Sequence, residues 1–353
     1  MPAADGVTVD ATSTGALLPD PLLSANVYAS RRLDAVLLAG VAPLWGEVAA
    51  EVEARGGYLW TVRYNRRGEH LKLRFHAPPE LDHRLRSATA AAIARCLAKL
   101  PAATEERRVR DDVPAIDAED EADQAQPDDS LVWTRYRRSY VSLGAEPWLG
   151  DDGYAARLTA LLGAGFGLLA AAVRELDGDE IPHRVRQTTL LKAVIDGVAA
   201  LGLAPRAGEY LAYHRDWLLR FFVQEPEREA AFLVKLDERV TAMSAMVERL
   251  RVVAEQSWSE TAASDGATGS AAAWRRAAAR LATYVGGFRG RAEYVTDPLA
   301  GDLLYPAAFK ALHGTANQLG LSPMEESFVH HLLWHASEAA EPAPLAGAGE
   351  AVR

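Results

Sequence analysis

The sequence has little sulfur, no basic surplus and no nucleotide-binding loop. A single cysteine, Cys96, among 353 residues excludes an internal disulfide and a cysteine-based zinc site. A chain of this kind reads as one from a reducing compartment, most simply the cytoplasm. Lys and Arg total 38 against 48 Asp and Glu, a net charge of −10; this disfavours general nucleic-acid binding, which needs a cationic excess. No apolar run of about 18 residues free of charge stands out, so no membrane span is expected. Residues 1–20 lack the basic start and apolar stretch of a secretory signal. There is no Walker A loop, no G-x-G-x-x-G between strand and helix, and no G-x-S-x-G. The G-x-G of Gly163 and Gly165 lies in a Leu/Ala-rich helical pattern and reads as core packing.

What is there is ordinary for a globular protein: 49% hydrophobic and 24% charged residues. Residues 1–24 read as a mobile tail, 25–337 as the folded part and 338–353 as a disordered Ala/Pro/Gly tail. The stretch 111–129 holds nine Asp or Glu residues and is expected to loop into solvent; 260–270 reads as a flexible loop. Helical spacing over 31–55 stops at Gly56-Gly57. YLWTVRY (58–64) and HLKLRFHA (70–77) read as strands joined by the turn NRRGE, hence a hairpin. A helix follows Pro78-Pro79 over about 80–99, and 105–110 and 131–142 are further strand candidates. After Trp148 the spacing is helical, over 152–176, 184–203, 206–222, 226–255, 272–287, 301–319 and 323–336. Strands first and helices later argue for α+β, a small antiparallel sheet in the N-terminal third with a large, mostly helical remainder.

Several side chains have the chemistry of a site. His331 and His335, four apart, share a helix face as metal ligands do, with His330 adjacent; no third ligand is evident in the sequence, so no metal is expected. On the second strand, Leu71, Leu73 and Phe75 alternate with His70, Lys72, Arg74 and His76. Taken alone, Lys72 and Arg74 read as a solvated sheet face. Arg135, Arg137 and Arg138 balance the acidic loop, and Tyr284 and Tyr294 read first as packed aromatics.

Two stretches change that weighing. YLWTVRYNRRGEHLKLRFHAP (58–78) resembles the opening of the C-terminal, elimination-type domain of lantibiotic dehydratases and of the stand-alone thiopeptide biosynthesis proteins related to it. LHGTANQLGLSPMEESF (312–328) resembles the family's late helix, L-H-M-x-x-N-R-L-G-L followed by an acidic pair; His313 and Asn317 fall on its His and Asn, and Gln318 replaces its Arg. Elimination domains of the family remove glutamate from glutamylated Ser or Thr in a peptide, leaving dehydroamino acids. Its pyridine synthases join two dehydroalanines in a formal aza-[4+2] cycloaddition, then lose water and the leader peptide. Where elimination domains carry R-Y-G-G, this chain reads TRYRRSYVSLGAEPWLG (134–150), and its next helix lacks their D-S. The departures fit the cyclising branch.

The resemblance thus implies a cofactor-independent, pyridine-forming macrocyclase acting on a leader-bearing azole peptide. Glutamate elimination and a non-catalytic precursor-binding role are the alternatives. The catalytic candidates are His313, able to exchange protons near neutrality, the weak acids Tyr284 and Tyr294, and the donors Arg63 and Arg74. Tyr64, His70, Lys72 and Asn317 are candidates for holding the substrate. Arg107, Arg108 and Arg110 could dock an acidic leader by charge complementarity. The expected partner is the modified precursor peptide, with no nucleic acid and no membrane, and with a homodimer left open.

Overall fold

The computed structural model describes residues 22–64, 69–100, 127–136, 152–259, 268–287 and 304–338. The strand candidate at 105–110 lies outside them, as do Arg107, Arg108, Arg110, Arg137, Arg138 and Tyr294. Four strands form one antiparallel sheet: β1 (Leu22–Tyr28), β2 (Tyr58–Tyr64), β3 (His70–His76) and β4 (Ser130–Tyr136), in the order β2-β3-β1-β4. Ten helices accompany it among the described residues. They are α1 (Leu33–Glu53), α2 (Asp82–Leu97), α3 (Asp152–Val173), α4 (His183–Ala200), α5 (Ala207–Val223), α6 (Pro226–Thr241), α7 (Ser244–Ser259), α8 (Ser270–Gly286), α9 (Leu304–Leu319) and α10 (Pro323–Glu338). The fold is α+β.

The hairpin forms as its alternation predicts, with Tyr64 opposite His70 and Tyr58 opposite His76. Gly57 is required before it: a Cβ there would sit 2.4 Å from the His76 carbonyl oxygen. The central strand β1 was not evident in the sequence. Its alternation of Leu23, Ala25 and Val27 with Ser24 and Asn26 is short, and it starts inside the stretch 1–24 read as a mobile tail, of which Leu22, Leu23 and Ser24 are in fact buried strand. Leu23, Ala25, Val27, Leu59, Leu71, Leu73 and Phe75 form the apolar face and join Val36, Leu44 and Val48 of α1 and Leu85 and Ile93 of α2 in the main core.

The opposite face is the first correction. His70, Lys72, Arg74 and His76 are at most 3% exposed, so this is no solvated face. One corner of it packs on α3, where Trp60 and Leu22 meet Leu162. Gly163 lets Tyr58 approach, and the Tyr58 hydroxyl lies 2.8 Å from Thr159 Oγ1. Gly165 likewise admits Thr315 of α9, so the core-packing reading of this G-x-G holds.

Among the described residues, two helices, Leu33–Glu53 and Asp152–Val173, are long and apolar enough to cross a membrane by length and composition, contrary to the expectation from the sequence. In the fold, Leu158, Leu161, Phe166 and Leu169 of α3 lie in the core, as do Val41, Val48 and Val52 of α1. Length and apolarity do not distinguish a core helix from a spanning one.

The stretch 226–255, expected as one helix, is two. The chain turns at Ala242 and Met243, where Met243 N–H bonds to the Val240 carbonyl. The turn lets Leu236 and Val240 of α6 pack on Phe328 and Leu332 of α10, with Leu250 of α7 against the same cluster. Tertiary packing overrides helical propensity here, since no Gly or Pro marks the break.

Candidate functional site

Apart from Tyr284, the expected site residues that lie among the described residues fall into three places. The first is the buried polar face of the sheet. The register brings Tyr64, His70 and Lys72 together: Tyr64 and His70 meet edge to face at 5.5 Å, and Lys72 Nζ lies 4.5 Å from the centre of the Tyr64 ring. Arg74 hydrogen-bonds the Ser24 hydroxyl on β1. These four do share one surface, but it is closed to solvent.

The second place is the free edge of β2. Asn317 Oδ1 accepts the Arg63 backbone N–H at 2.8 Å, and Asn317 Nδ2 donates to the Arg63 carbonyl at 3.0 Å. Gln318 Oε1 accepts the Thr61 N–H at 3.3 Å, while its Nε2 donates to the Leu162 carbonyl. Two successive amide side chains of α9 thereby cover the edge-strand groups that would otherwise pair with another strand. The Arg63 guanidinium bonds to Asp34 at 2.6 Å; Asp34 also holds Arg186 and the Ile181 N–H. Burial lowers the Arg63 pKa, and the Asp34 carboxylate opposes that shift. Arg63 and Asn317, expected in catalysis and in substrate binding, thus lie at the joint between sheet and helices. Their polar groups already have protein partners.

The third place is a hydrogen-bonded line at the junction of α5, α9 and α10. His313 Nδ1 lies 2.7 Å from Glu326 Oε2, His214 Nε2 lies 2.7 Å from Glu326 Oε1, and His214 Nδ1 lies 3.0 Å from the Tyr210 hydroxyl. His214 and Glu326 are wholly buried; the His313 side chain keeps 22% exposure. Burial would raise the Glu326 pKa, but the charge of His313 and the bonds from both histidines hold the carboxyl well below its ordinary range. Burial works to lower His313, yet the charge and hydrogen bond of Glu326 outweigh it and raise the imidazole above 6.5. His214 is lowered, first by burial, and Tyr210 is raised, first by burial. The line therefore runs from a neutral phenol through a neutral imidazole and a carboxylate to a proton-holding imidazole. His313 Nε2 hydrogen-bonds to nothing among the described residues, which leaves it to act outward.

Aromatic rings border that nitrogen's side chain. Phe309 stacks on His313 at 5.5 Å and Phe222 lies 6.3 Å away. Tyr284 stands apart on α8, with the Arg157 guanidinium 4.0 Å over its ring. Glu326 belongs to the acidic pair of the late motif but was not among the expected site residues. Nothing in the local pattern singled out His214 or Tyr210, which reach it from more than 110 residues away.

Among the described residues, two side-chain groups come close enough to consider a metal ion: His214 with Glu326 and His330, and Asp237 with His331 and His335. The third ligand that the His331/His335 pair lacked in the sequence is thus Asp237 of α6. Neither arrangement suits an ion. The His214 and His330 rings stack face to face, 3.6 Å apart and 16° from parallel, so their in-plane lone pairs do not converge. At the other group, Arg215 Nη1 donates to His331 Nδ1 at 2.9 Å, which places the ring proton on Nε2, 2.9 Å from Asp237. Burial and the Arg215 charge lower His331 to about 4. A cleft of about 420 Å³ between α4, α7 and α8, lined by Leu191, Ile195, Leu250 and Val253, contains none of the expected residues.

Comparison with known proteins gives this architecture its relatives. The family model for the lantibiotic biosynthesis dehydratase C-terminal region matches residues 23–337. The chain belongs to that family. The lantibiotic dehydratase C-terminal fold seen here is similar to that of the pyridine synthase TbtD from thiomuracin biosynthesis, at 18% identity and TM-score 0.62, over 91% of this chain and 99% of that one. It is also similar to TsrL, at 18% identity and TM-score 0.51, over 90% of this chain and 94% of that one. At these identities the likeness is one of fold. No curated protein matches the chain.

Proposed function

We propose that this chain is a pyridine-forming macrocyclase of thiopeptide biosynthesis, acting on a modified precursor peptide that carries a leader, azoles and two dehydroalanines. The observation that carries the reading is the His313–Glu326 pair: a proton-holding imidazole with its outer nitrogen open, set among aromatic side chains. The reaction demands proton transfers on an otherwise apolar, conjugated substrate. The chain also spans nearly the whole of a pyridine synthase of the same fold.

The chemistry follows from that pair. One diene partner is the iminol tautomer of a backbone amide. The imidazolium Nε2–H of His313 gives its proton to the amide oxygen, and the proton leaving the amide nitrogen returns through solvent to recharge the imidazole, so that the iminol forms with no net proton change. Holding both alkenes in contact converts a floppy macrocyclisation into a near-attack arrangement. Two carbon–carbon bonds, from the terminal carbons of the azadiene to the two alkene carbons of the other dehydroalanine, then close the six-membered ring and leave one C=N bond in it. His313 protonates the ring hydroxyl, which leaves as water while a ring C–H gives up its proton. Loss of the leader as a C-terminal carboxamide, with a second C–H proton, leaves the pyridine. Glu326 keeps the imidazole oriented and its proton held between steps.

The test is mass spectrometry of a dehydrated, azole-bearing precursor incubated with the protein alone. Leader carboxamide together with a pyridine macrocycle is the expected result. Free glutamate from a glutamylated precursor would move the assignment to elimination, and binding without a mass change would move it to precursor presentation.

A further inference from the structure

Helix α5 ends in an unusual surface. Gln224 terminates it in the left-handed region, at φ 60°, and its Nε2 donates back to the Phe221 carbonyl. The last turn thereby projects Phe221 and Phe222 outward, 52% and 45% exposed. Large rings are normally withdrawn from water, and the two lie side by side, edge to face at 4.9 Å. They are not an isolated patch. Trp217 stacks on Phe221 at 4.9 Å and 12°, Trp217 meets Phe309 at 4.2 Å, and Phe309 stacks on His313 at 5.5 Å and 12°. Phe222 closes the ring of contacts at 6.3 Å from His313. A continuous aromatic array thus begins at the candidate proton-transfer group and emerges at the surface as two open ring faces.

We infer that Phe221 and Phe222 form a stacking platform for neutral, planar heteroaromatic rings of the peptide substrate, placing the segment beside them against His313. This rests on the reading of the substrate as an azole-bearing peptide. The occupant follows from the chemistry of the surface. Ring faces attract other flat π systems in offset-stacked or edge-to-face geometry, a preference that an aliphatic side chain does not share. Continuity with the His313 site gives the platform a role in positioning: rings held there set where the neighbouring reactive unit lies.

The test separates the platform from the cyclisation. The probe is a synthetic peptide with two adjacent thiazoles and serine in place of each dehydroalanine, so that it binds without reacting. A control peptide has alanines in place of the thiazoles. Calorimetric titration is expected to show the thiazole peptide binding about tenfold tighter than the control, the scale of a pair of ring contacts. The Phe221→Ala/Phe222→Ala double variant abolishes that preference. The Phe221→Leu/Phe222→Leu variant, which keeps apolar bulk and guards against misfolding, also abolishes it, while Phe222→Tyr keeps it. Equal binding of the two peptides, an unchanged preference in the Leu variant, or displacement of the thiazole peptide by a free leader peptide overturns the platform. A wild-type protein that prefers the thiazole peptide yet converts no dehydroalanine substrate leaves the platform standing and overturns the macrocyclase reading. Cyclisation unaffected by removal of both rings does the reverse.

Discussion

Asn317 meets the backbone of Arg63 twice, accepting its N–H at 2.8 Å and donating to its carbonyl at 3.0 Å, as a paired strand would. The side chain stands one helical turn beyond His313, so the contact fixes how α9, and with it His313, sits against the sheet.

Asn317→Ala leaves both backbone groups of Arg63 without their partner. The expected loss is about 1–3 kcal/mol of stability, read as a lower urea midpoint with unchanged slope. An unaltered midpoint with lost activity would instead return Asn317 to the reaction itself.

Asp34 holds two guanidinium groups, those of Arg63 and Arg186, at a site where all three side chains are mostly buried. Asp34→Ala leaves both cations without their counter-charge, and the expected cost is about 3–5 kcal/mol. Thermal unfolding measures it. A variant melting within a degree or two of the parent would show that water reaches the site and that the clasp carries little.

Glu326 sets the protonation of His313. In the parent the imidazole titrates above its ordinary 6.5; with Glu326→Gln, burial remains without the carboxylate and the midpoint falls below 6.5. Imidazole NMR signals against pH give both values. The stability of the pair follows the same signs. His313, raised on folding, contributes fully below 6.5 and loses its contribution as pH rises through the folded value. Glu326, depressed on folding, contributes fully above 4.5 and loses its contribution as pH falls through its folded value. The stability gap between parent and Glu326→Gln is therefore widest between 4.5 and 6.5 and narrows on both sides. A gap that does not vary with pH would mean that the pair is not ionised as assigned.

His313→Ala removes the outward-facing proton donor while leaving the aromatic platform. Conversion of the precursor is expected to fall about 10²- to 10⁴-fold, the usual contribution of a general acid or base, with peptide binding retained. Quantitative mass spectrometry against time measures the rate. A fall of less than threefold would make positioning alone the source of catalysis.

The hairpin of β2 and β3 was legible because both signals are local: Tyr58–Tyr64 is rich in aromatic and β-branched residues, and His70–His76 alternates with period two. The late motif likewise pointed to His313, but not to Glu326 as its partner. Central strand β1 was hidden because its alternation covers only Leu23 to Val27, with the small Ala25 at its centre, and the burial of Ser24 and Asn26 depends on neighbours on either side. The sequence showed Lys72 and Arg74 on one face, as they are, but a period-two pattern says only that two faces differ. It does not say whether the polar one meets water.

By itself, then, the sequence determined the repeating elements, the α+β order and the family-like residues at each end. Those depend on spacings of two to four residues, which backbone geometry imposes locally. Tertiary structure alone decided which distant groups share charge. Glu326 is bonded by His313 from thirteen residues away and by His214 from 112. Asn317 reaches a strand 254 positions earlier, and Asp237 joins two histidines across 94 and 98. Contacts of that kind arise when helices bury their apolar faces against one another, and the polar residues carried along must then find partners where they arrive.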